Sequence, residues 1–160
     1  MRVFDTSSII HGWDNYPLKQ FPPLWDWLSD QIDAEEIVVP KVALIEVSHI
    51  SPDCHKWLTA NQLKVIDVSN DIANEAIRIK NLIGIVNDNY HPKGVDENDI
   101  IIIATARILD VELVTDEGRQ AKPPDVTHKR KIPSVCDIKT VKVDCIDFVE
   151  YFKGSGEVFK

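Results

Sequence analysis

Short apolar segments with the composition of β-strands alternate along this chain with longer segments of helical periodicity. We predict five strands, at residues 2–4, 37–39, 63–68, 111–115 and 141–146. Strands that alternate with helices form a mostly parallel sheet that is covered by helices on both faces. The sequence therefore predicts a three-layer α/β/α fold, in which functional sites lie beyond the carboxyl ends of the strands.

Apolar residues at steps of three and four define the helices between these strands. The predicted helices cover residues 22–34, 41–50, 53–61, 70–88, 96–110, 133–139 and 147–153, and residues 117–131 are predicted to form a loop. The segment 96–110 is ambiguous because its isoleucine run favours a strand. Its length and the acids that open it favour a helix instead.

Composition limits the class of protein. A length of 160 residues, 44% of them hydrophobic, predicts a single domain over residues 1–160. No apolar run approaches the roughly 20 residues of a membrane span, and the start MRVFDTSSII is interrupted by an acid. We therefore expect a complete cytoplasmic protein without a signal peptide. The three scattered cysteines predict reduced, mostly buried thiols.

The formal net charge of −8 is unusual for a protein that binds nucleic acid over its whole surface. Two interpretations remain open. Either the protein does not bind nucleic acid, or its acidic residues include a site that works through bound cations.

Several acids occupy positions that the predicted fold brings to one edge of the sheet. Asp5 follows the first strand, Asp116 and Glu117 follow the fourth, and Glu46 lies among apolar residues on a helix. Asp96 and Asp99 open the helix that leads into the fourth strand.

Each of these acids also has an ordinary structural interpretation. Asp5 could cap the helix that follows it, and Asp96 and Asp99 have the spacing of a capping box. Asp116 and Glu117 could be turn residues. Glu46 could be exposed, but a carboxylate buried without a partner is costly. Carboxylates gathered on one rim repel one another unless a cation lies between them, and oxygen ligands favour Mg²⁺ or Mn²⁺.

Four segments together resemble a known family. VFDTSSII, VALIEVSHI, NDIIIIATARI and ELVTDE are similar, in this order, to the four acidic motifs of PIN-domain nucleases of the VapC-like superfamily. FPPLWDWL and the stretch from KIPSVC to VDCIDF resemble one PIN branch that is described as a domain of unknown function. Members of that branch often accompany a putative antitoxin gene.

The resemblance implies a strand order of 3-2-1-4-5 and a metal-dependent endoribonuclease, the toxin of a toxin–antitoxin pair. It implies that Asp5, Glu46 and Asp99 hold one or two Mg²⁺ or Mn²⁺ ions together with Asp116 or Glu117. Asp96 is an alternative to Asp99 as a metal ligand. Thr6 or Ser7 would orient a metal ligand or a water molecule. The implied partners are an RNA substrate, an antitoxin protein and a second copy of the chain in a homodimer. The implied products carry a 5′-phosphate and a 3′-hydroxyl.

Basic residues are concentrated after the fourth strand, at Lys122, His128, Lys129, Arg130 and Lys131. They predict contacts with the phosphate backbone of a substrate, with an ordinary solvated loop as the alternative. His49, Cys54 and His55 fit no zinc motif. Trp27 lies off the apolar face of its helix, which favours packing at the edge of the core over contact with a partner or a base.

Two other functions remain as alternatives. One is a binding or regulatory module with a catalytically degenerate PIN fold, which the intact set of acids disfavours. The other is a metal-dependent phosphatase on a similar sheet. Asp5-Thr6-Ser7 lacks the second aspartate of a haloacid-dehalogenase opening, which disfavours an aspartyl-phosphate mechanism.

Overall fold

A five-stranded parallel sheet forms the centre of the computed structural model, which describes Met1–Lys160. The strands are β1 (Arg2–Phe4), β2 (Ile37–Pro40), β3 (Lys64–Ile66), β4 (Leu113–Val114) and β5 (Cys145–Ile146). Their order is β3-β2-β1-β4-β5, and every neighbouring pair is parallel. In this register Val3 of β1 lies between Val38 and Leu113. The predicted fold class and strand order are confirmed.

Eight helices flank the sheet. They are α1 (Thr6–Asn15), α2 (Pro22–Asp33), α3 (Lys41–Ile50), α4 (Pro52–Ala60), α5 (Asn70–Leu82), α6 (Glu97–Leu109), α7 (Ile132–Cys136) and α8 (Phe148–Ser155). The ambiguous isoleucine run is helical, as predicted. The predicted loop after β4 contains one short 3₁₀ turn, Thr127–Lys129. None of the helices is long and apolar enough to cross a membrane.

The largest error in the predicted boundaries concerns the helix expected at residues 70–88. Helix α5 ends at Leu82, because Gly84 adopts a left-handed backbone conformation with φ of +82° that terminates the helix. Val86, which falls within the predicted helix and continues its apolar spacing, lies beyond α5 and is 67% exposed. The third, fourth and fifth strands are shorter than predicted. Val141 and Val143 are buried without joining the sheet.

A cluster of 34 buried apolar residues forms the core between the sheet and the helices. Helix α6 contributes heavily, since Ile100, Ile102 and Ile103 are buried, and it contacts α5, α3 and β1. Burial on several sides explains why this helix lacks a clear polar face. Trp27 packs at the edge of the core against the rings of Tyr151 and Phe159. All three cysteines are free, and Cys145 alone among them is partly exposed.

Candidate metal-binding site

An open cleft of about 780 Å³ lies beyond the carboxyl ends of the central strands. Only three of its 17 lining residues are hydrophobic. The fold brings all six predicted acids to this cleft: Asp5, Glu46, Asp96, Asp99, Asp116 and Glu117. The predicted Thr6 and Ser7 line it as well. These residues are far apart in sequence, and they meet because parallel strands end at the same edge.

Asp5 is the most deeply buried acid of the cleft, with 3% of its surface exposed. It occupies the N-cap position of α1, yet its side chain makes no capping hydrogen bond. Instead, one carboxylate oxygen, Oδ2, accepts hydrogen bonds from the hydroxyls of Ser7 at 2.6 Å and Thr115 at 2.8 Å. Burial raises the pKa of Asp5, and these hydrogen bonds partly oppose the rise. The hydroxyls hold Asp5 in place without neutralising its charge.

Glu46 projects from α3 and is half-buried. Its Oε1 accepts a hydrogen bond from the Thr6 hydroxyl at 3.0 Å. Burial raises the pKa of Glu46, and the negative charges of Asp96, Asp5 and Glu117 raise it further. No basic side chain opposes this rise, so Glu46 faces like charges across the cleft.

Asp96 and Asp99 form a complete capping box at the start of α6. The Asp99 backbone N–H donates to Asp96 Oδ1, and the Asp96 N–H donates to Asp99 Oδ2, both at 2.9 Å. The two acids differ in their surroundings, because Asp96 is exposed and Asp99 is half-buried. Burial raises the pKa of Asp99 to about 8, and the charges of Glu117, Asp96 and Asp5 add to the rise. The capping box therefore explains the position of one Asp99 oxygen. It does not explain why a negative charge is placed among other acids.

The adjacent acids Asp116 and Glu117 point in different directions. Asp116 Oδ1 accepts a hydrogen bond from the Phe148 N–H at 2.9 Å, at the start of α8, and Oδ2 lies 3.3 Å from Nδ1 of His11. Glu117 Oε2 accepts a hydrogen bond from the Ile132 N–H at 2.9 Å, at the start of α7. Asp116 therefore lies on the α8 side of the cleft.

The electrostatic surroundings separate the same two acids. Burial raises the pKa of Glu117 and the charge of Asp5 adds to it, while Lys131 opposes the rise. Burial also raises the pKa of Asp116, but the Phe148 N–H and His11 oppose it. Glu117, unlike Asp116, raises the pKa values of both Glu46 and Asp99. Glu117 therefore belongs to the same repelling group as Asp5, Glu46 and Asp99.

The donor set of this group suits a hard divalent cation, since it consists of carboxylate oxygens. Each of its acids has a raised pKa, which a bound cation would reverse. No three acidic, histidine or cysteine side chains stand close enough to enclose an ion by themselves. Mg²⁺ usually keeps several water molecules and binds one or two carboxylates directly, so a wide site of this kind is compatible with it.

The predicted basic residues are spread over different surroundings. Lys131 lines the cleft, and its backbone N–H donates to Gln120. Lys129 and Arg130 are half-buried, and Arg130 Nε donates to the Pro124 carbonyl. Lys122 is exposed and does not line the cleft. The structure thus brings one of the five predicted basic residues, Lys131, into the cleft.

Four residues of the site were missed from the sequence. Thr115 binds Asp5, and His11, Asp14 and His91 line the cleft. A signal for two of them was present, because Ser7, His11 and Asp14 recur at steps of four and three along α1. That spacing places them on one helical face, directly after Asp5.

Comparison with known proteins agrees with this fold. Solved structures with similar folds include DNA-bound VapBC from Salmonella typhimurium, at a TM-score of 0.55 and 14% identity. That match covers 92% of this chain and 97% of the other. VapBC2 from Rickettsia felis, bound to a DNA fragment from its promoter, matches at a TM-score of 0.54 and 14% identity, covering 91% and 97%. The protein therefore has the PIN-like fold that its motifs predicted.

The family follows from a direct match of the sequence. Residues 3–159 match the model of the family named Domain of unknown function (DUF4411). The chain belongs to this family. No curated protein sequence matches it.

Proposed function

We propose that this protein is a Mg²⁺- or Mn²⁺-dependent endoribonuclease and the toxin of a cytoplasmic toxin–antitoxin pair. One observation carries the proposal. Asp5, Glu46, Asp99 and Glu117 come from four separate segments and meet in one cleft, and among them only Glu117 has a cation, Lys131, that opposes its raised pKa. Such an arrangement opposes folding unless it serves a bound cation.

Within this proposal, Asp5, Glu46, Asp99 and Glu117 hold one or two divalent ions. A bound ion would supply an activated water molecule and would offset the charge that develops on the phosphodiester. Thr6 keeps Glu46 in place through its hydroxyl, and Ser7 and Thr115 keep Asp5 in place. These hydroxyls fix the orientation of the carboxylates while leaving other oxygens free for the ion.

RNA is the proposed substrate because oxygen-bound Mg²⁺ and Mn²⁺ suit phosphate chemistry. A cation site also reconciles the net charge of −8 with a polyanionic substrate. The structures with similar folds are toxin–antitoxin complexes, and this supports a protein antitoxin as partner. A homodimer is part of the same proposal.

The test is cleavage of a panel of structured RNAs by the purified protein with Mn²⁺. We expect Asp5→Asn to reduce cleavage at least about 100-fold, because the variant removes a charge at the deepest point of the cleft. Asp110→Asn is the matched control. Asp110 lies before β4, at the opposite edge of the sheet, and its left-handed conformation is one that asparagine tolerates.

Cleavage that persists in Asp5→Asn would show that the RNase activity comes from another site or from a contaminant. Hydrolysis of a generic phosphomonoester without RNA cleavage would favour a phosphatase. A protein that neither cleaves RNA nor gains thermal stability from Mn²⁺ would be a binding module with a degenerate site.

A further inference from the structure

His11 lines the cleft and has no role in the proposed metal site. It lies on the cleft face of α1 and is half-buried. Its Nδ1 is 3.3 Å from Asp116 Oδ2. Asp116 is itself fixed, because its other oxygen accepts the Phe148 N–H and its own N–H donates to the Ser7 hydroxyl. Asp116 therefore orients the ring of His11.

The contacts of the His11 ring indicate which of its nitrogens is free to bind a ligand. Asn15 Nδ2 also lies near His11 Nδ1, at 3.4 Å, but it donates to the His11 carbonyl at 2.9 Å. A carboxylate is the stronger partner for a ring nitrogen, and Asp116 Oδ2 lies within ion-pair distance of Nδ1. Nε2 has no partner in the protein. It is free to bind a ligand.

We propose that His11, oriented by Asp116, donates a hydrogen bond from Nε2 to a phosphate oxygen of the RNA beside the metal site. This inference rests on the proposed function and assigns Asp116 to positioning His11, with Glu117 as the fourth metal ligand. This donation requires the imidazolium form, in which both ring nitrogens carry a hydrogen and Asp116 balances the charge. The pair would thus hold a phosphate in a cleft whose charged lining residues are mainly acids.

The position of the pair favours phosphate over other ligands. His11, His91 and Lys131 are the only basic residues that line the cleft, and His11 alone among them contacts one of the acids through its side chain. The charge of Asp5 acts on Asp116. His11 also lines the same cleft as the proposed metal ligands, where a scissile phosphodiester would lie.

The first experiment measures steady-state cleavage of an RNA that the wild-type protein cuts. We expect His11→Ala to raise KM about tenfold and to leave kcat within about twofold, because a charged hydrogen bond to the ground-state phosphate is lost. His11→Gln keeps a donor near the position of Nε2 and should recover part of the loss. His55→Ala, on α4 and outside the cleft, is the control with unchanged kinetics.

A double-variant cycle tests the role of Asp116. Asp116→Asn should raise KM by a similar factor, and the double variant with His11→Ala should lose no more than either single variant. The Mn²⁺ concentration for half-maximal activity should stay unchanged in Asp116→Asn and rise in Glu117→Gln. Additive losses, or a raised Mn²⁺ requirement in Asp116→Asn, would overturn the inference.

An observation that does not depend on cleavage separates this inference from the proposed function. In long-range ¹H–¹⁵N spectra, addition of adenosine 5′-monophosphate should shift the Nε2 resonance of His11 in the wild-type protein and not in Asp116→Asn. A shift in a protein that cleaves no RNA would refute the nuclease proposal and keep the phosphate site. Cleavage with no shift and an unchanged KM in His11→Ala would refute the phosphate site alone.

Discussion

The acids of the cleft at the carboxyl edge of the sheet differ from three acids near strands at the amino edge, because those three are paired with cations. At the amino edge, three acids near strands bind cations: Glu112 binds Arg2 at 2.7 Å, Glu35 binds Lys64 at 2.6 Å and Glu36 binds the N-terminal ammonium at 2.5 Å. At the carboxyl edge, Asp5 and Glu46 are held by hydroxyl groups and face other acids.

The pKa values follow this difference. The N-terminal ammonium lowers the pKa of Glu36, whereas burial and neighbouring acids raise the pKa values of Glu46 and Asp99. The ion pairs at the amino edge show that this fold can place a cation beside an acid. The unpaired acids of the carboxyl edge are therefore the ones that require an explanation through function.

The largest effect should come from divalent ions. If the carboxyl edge binds Mn²⁺, an ion concentration of 100 times Kd stabilises the folded state by about 2.7 kcal/mol. For a chain of this length that corresponds to a rise in Tm of roughly 5–10 °C. Thermal unfolding with and without Mn²⁺ measures it. Asp5→Asn should remove the rise and Glu112→Gln should keep it, and a rise that survives in Asp5→Asn would place the ion elsewhere.

The next effect concerns pH in the protein without metal. The pKa of Asp99 is about 8 in the folded state against an ordinary value of 3.8, so the folded state binds the proton more tightly. The free energy of unfolding should therefore fall as pH rises from about 4 to about 8. Since Asp99 is partly exposed, we expect a loss on the order of 1–2 kcal/mol.

Asp99→Asn should flatten this pH dependence, because asparagine keeps an oxygen for the capping box and has no charge to lose. Urea unfolding at pH 5 and pH 8 measures it, with Asp110→Asn as the control. If Asp99→Asn is instead less stable than the wild-type protein at pH 8, the charge of Asp99 stabilises the fold. That result would contradict the claim that the acids of the carboxyl edge destabilise the protein without metal.

The smallest effect belongs to the amino edge. Removal of one ion pair by Glu112→Gln should cost less than about 1 kcal/mol, because the pair is partly exposed to solvent. RNA cleavage should not change. Urea unfolding at low and high salt would check the origin of the effect, since screening should remove the difference between the variant and the wild-type protein.

Much of the fold could be predicted from local sequence. Five apolar segments and the helical periodicity between them were sufficient for a parallel α/β sheet, and four motifs implied its strand order. The end of α5 could not be placed, since the apolar spacing continues to Val86 while Gly84 ends the helix. The lengths of the short strands were overestimated. A buried apolar residue such as Val143 gives the same sequence pattern whether or not it pairs with a neighbouring strand.

For the site, the sequence supplied the identity of the acids and not their partners. The capping interpretation of Asp99 and its place in the cleft are both present in the structure, although they seemed to be alternatives. His11 was missed because its importance depends on a contact with Asp116, which is far from it in the sequence.

The sequence alone determined which chemistry is available, since residue types and periodicity are local properties that can be read directly. It determined an α/β fold and a set of carboxylates at the ends of its strands. Only the tertiary structure separates the surroundings of Asp116 from those of Glu117. Both follow Thr115, but one side chain reaches the start of α8 and the other reaches the start of α7. The difference depends on where α7 and α8 pack, and it cannot be predicted from the local sequence.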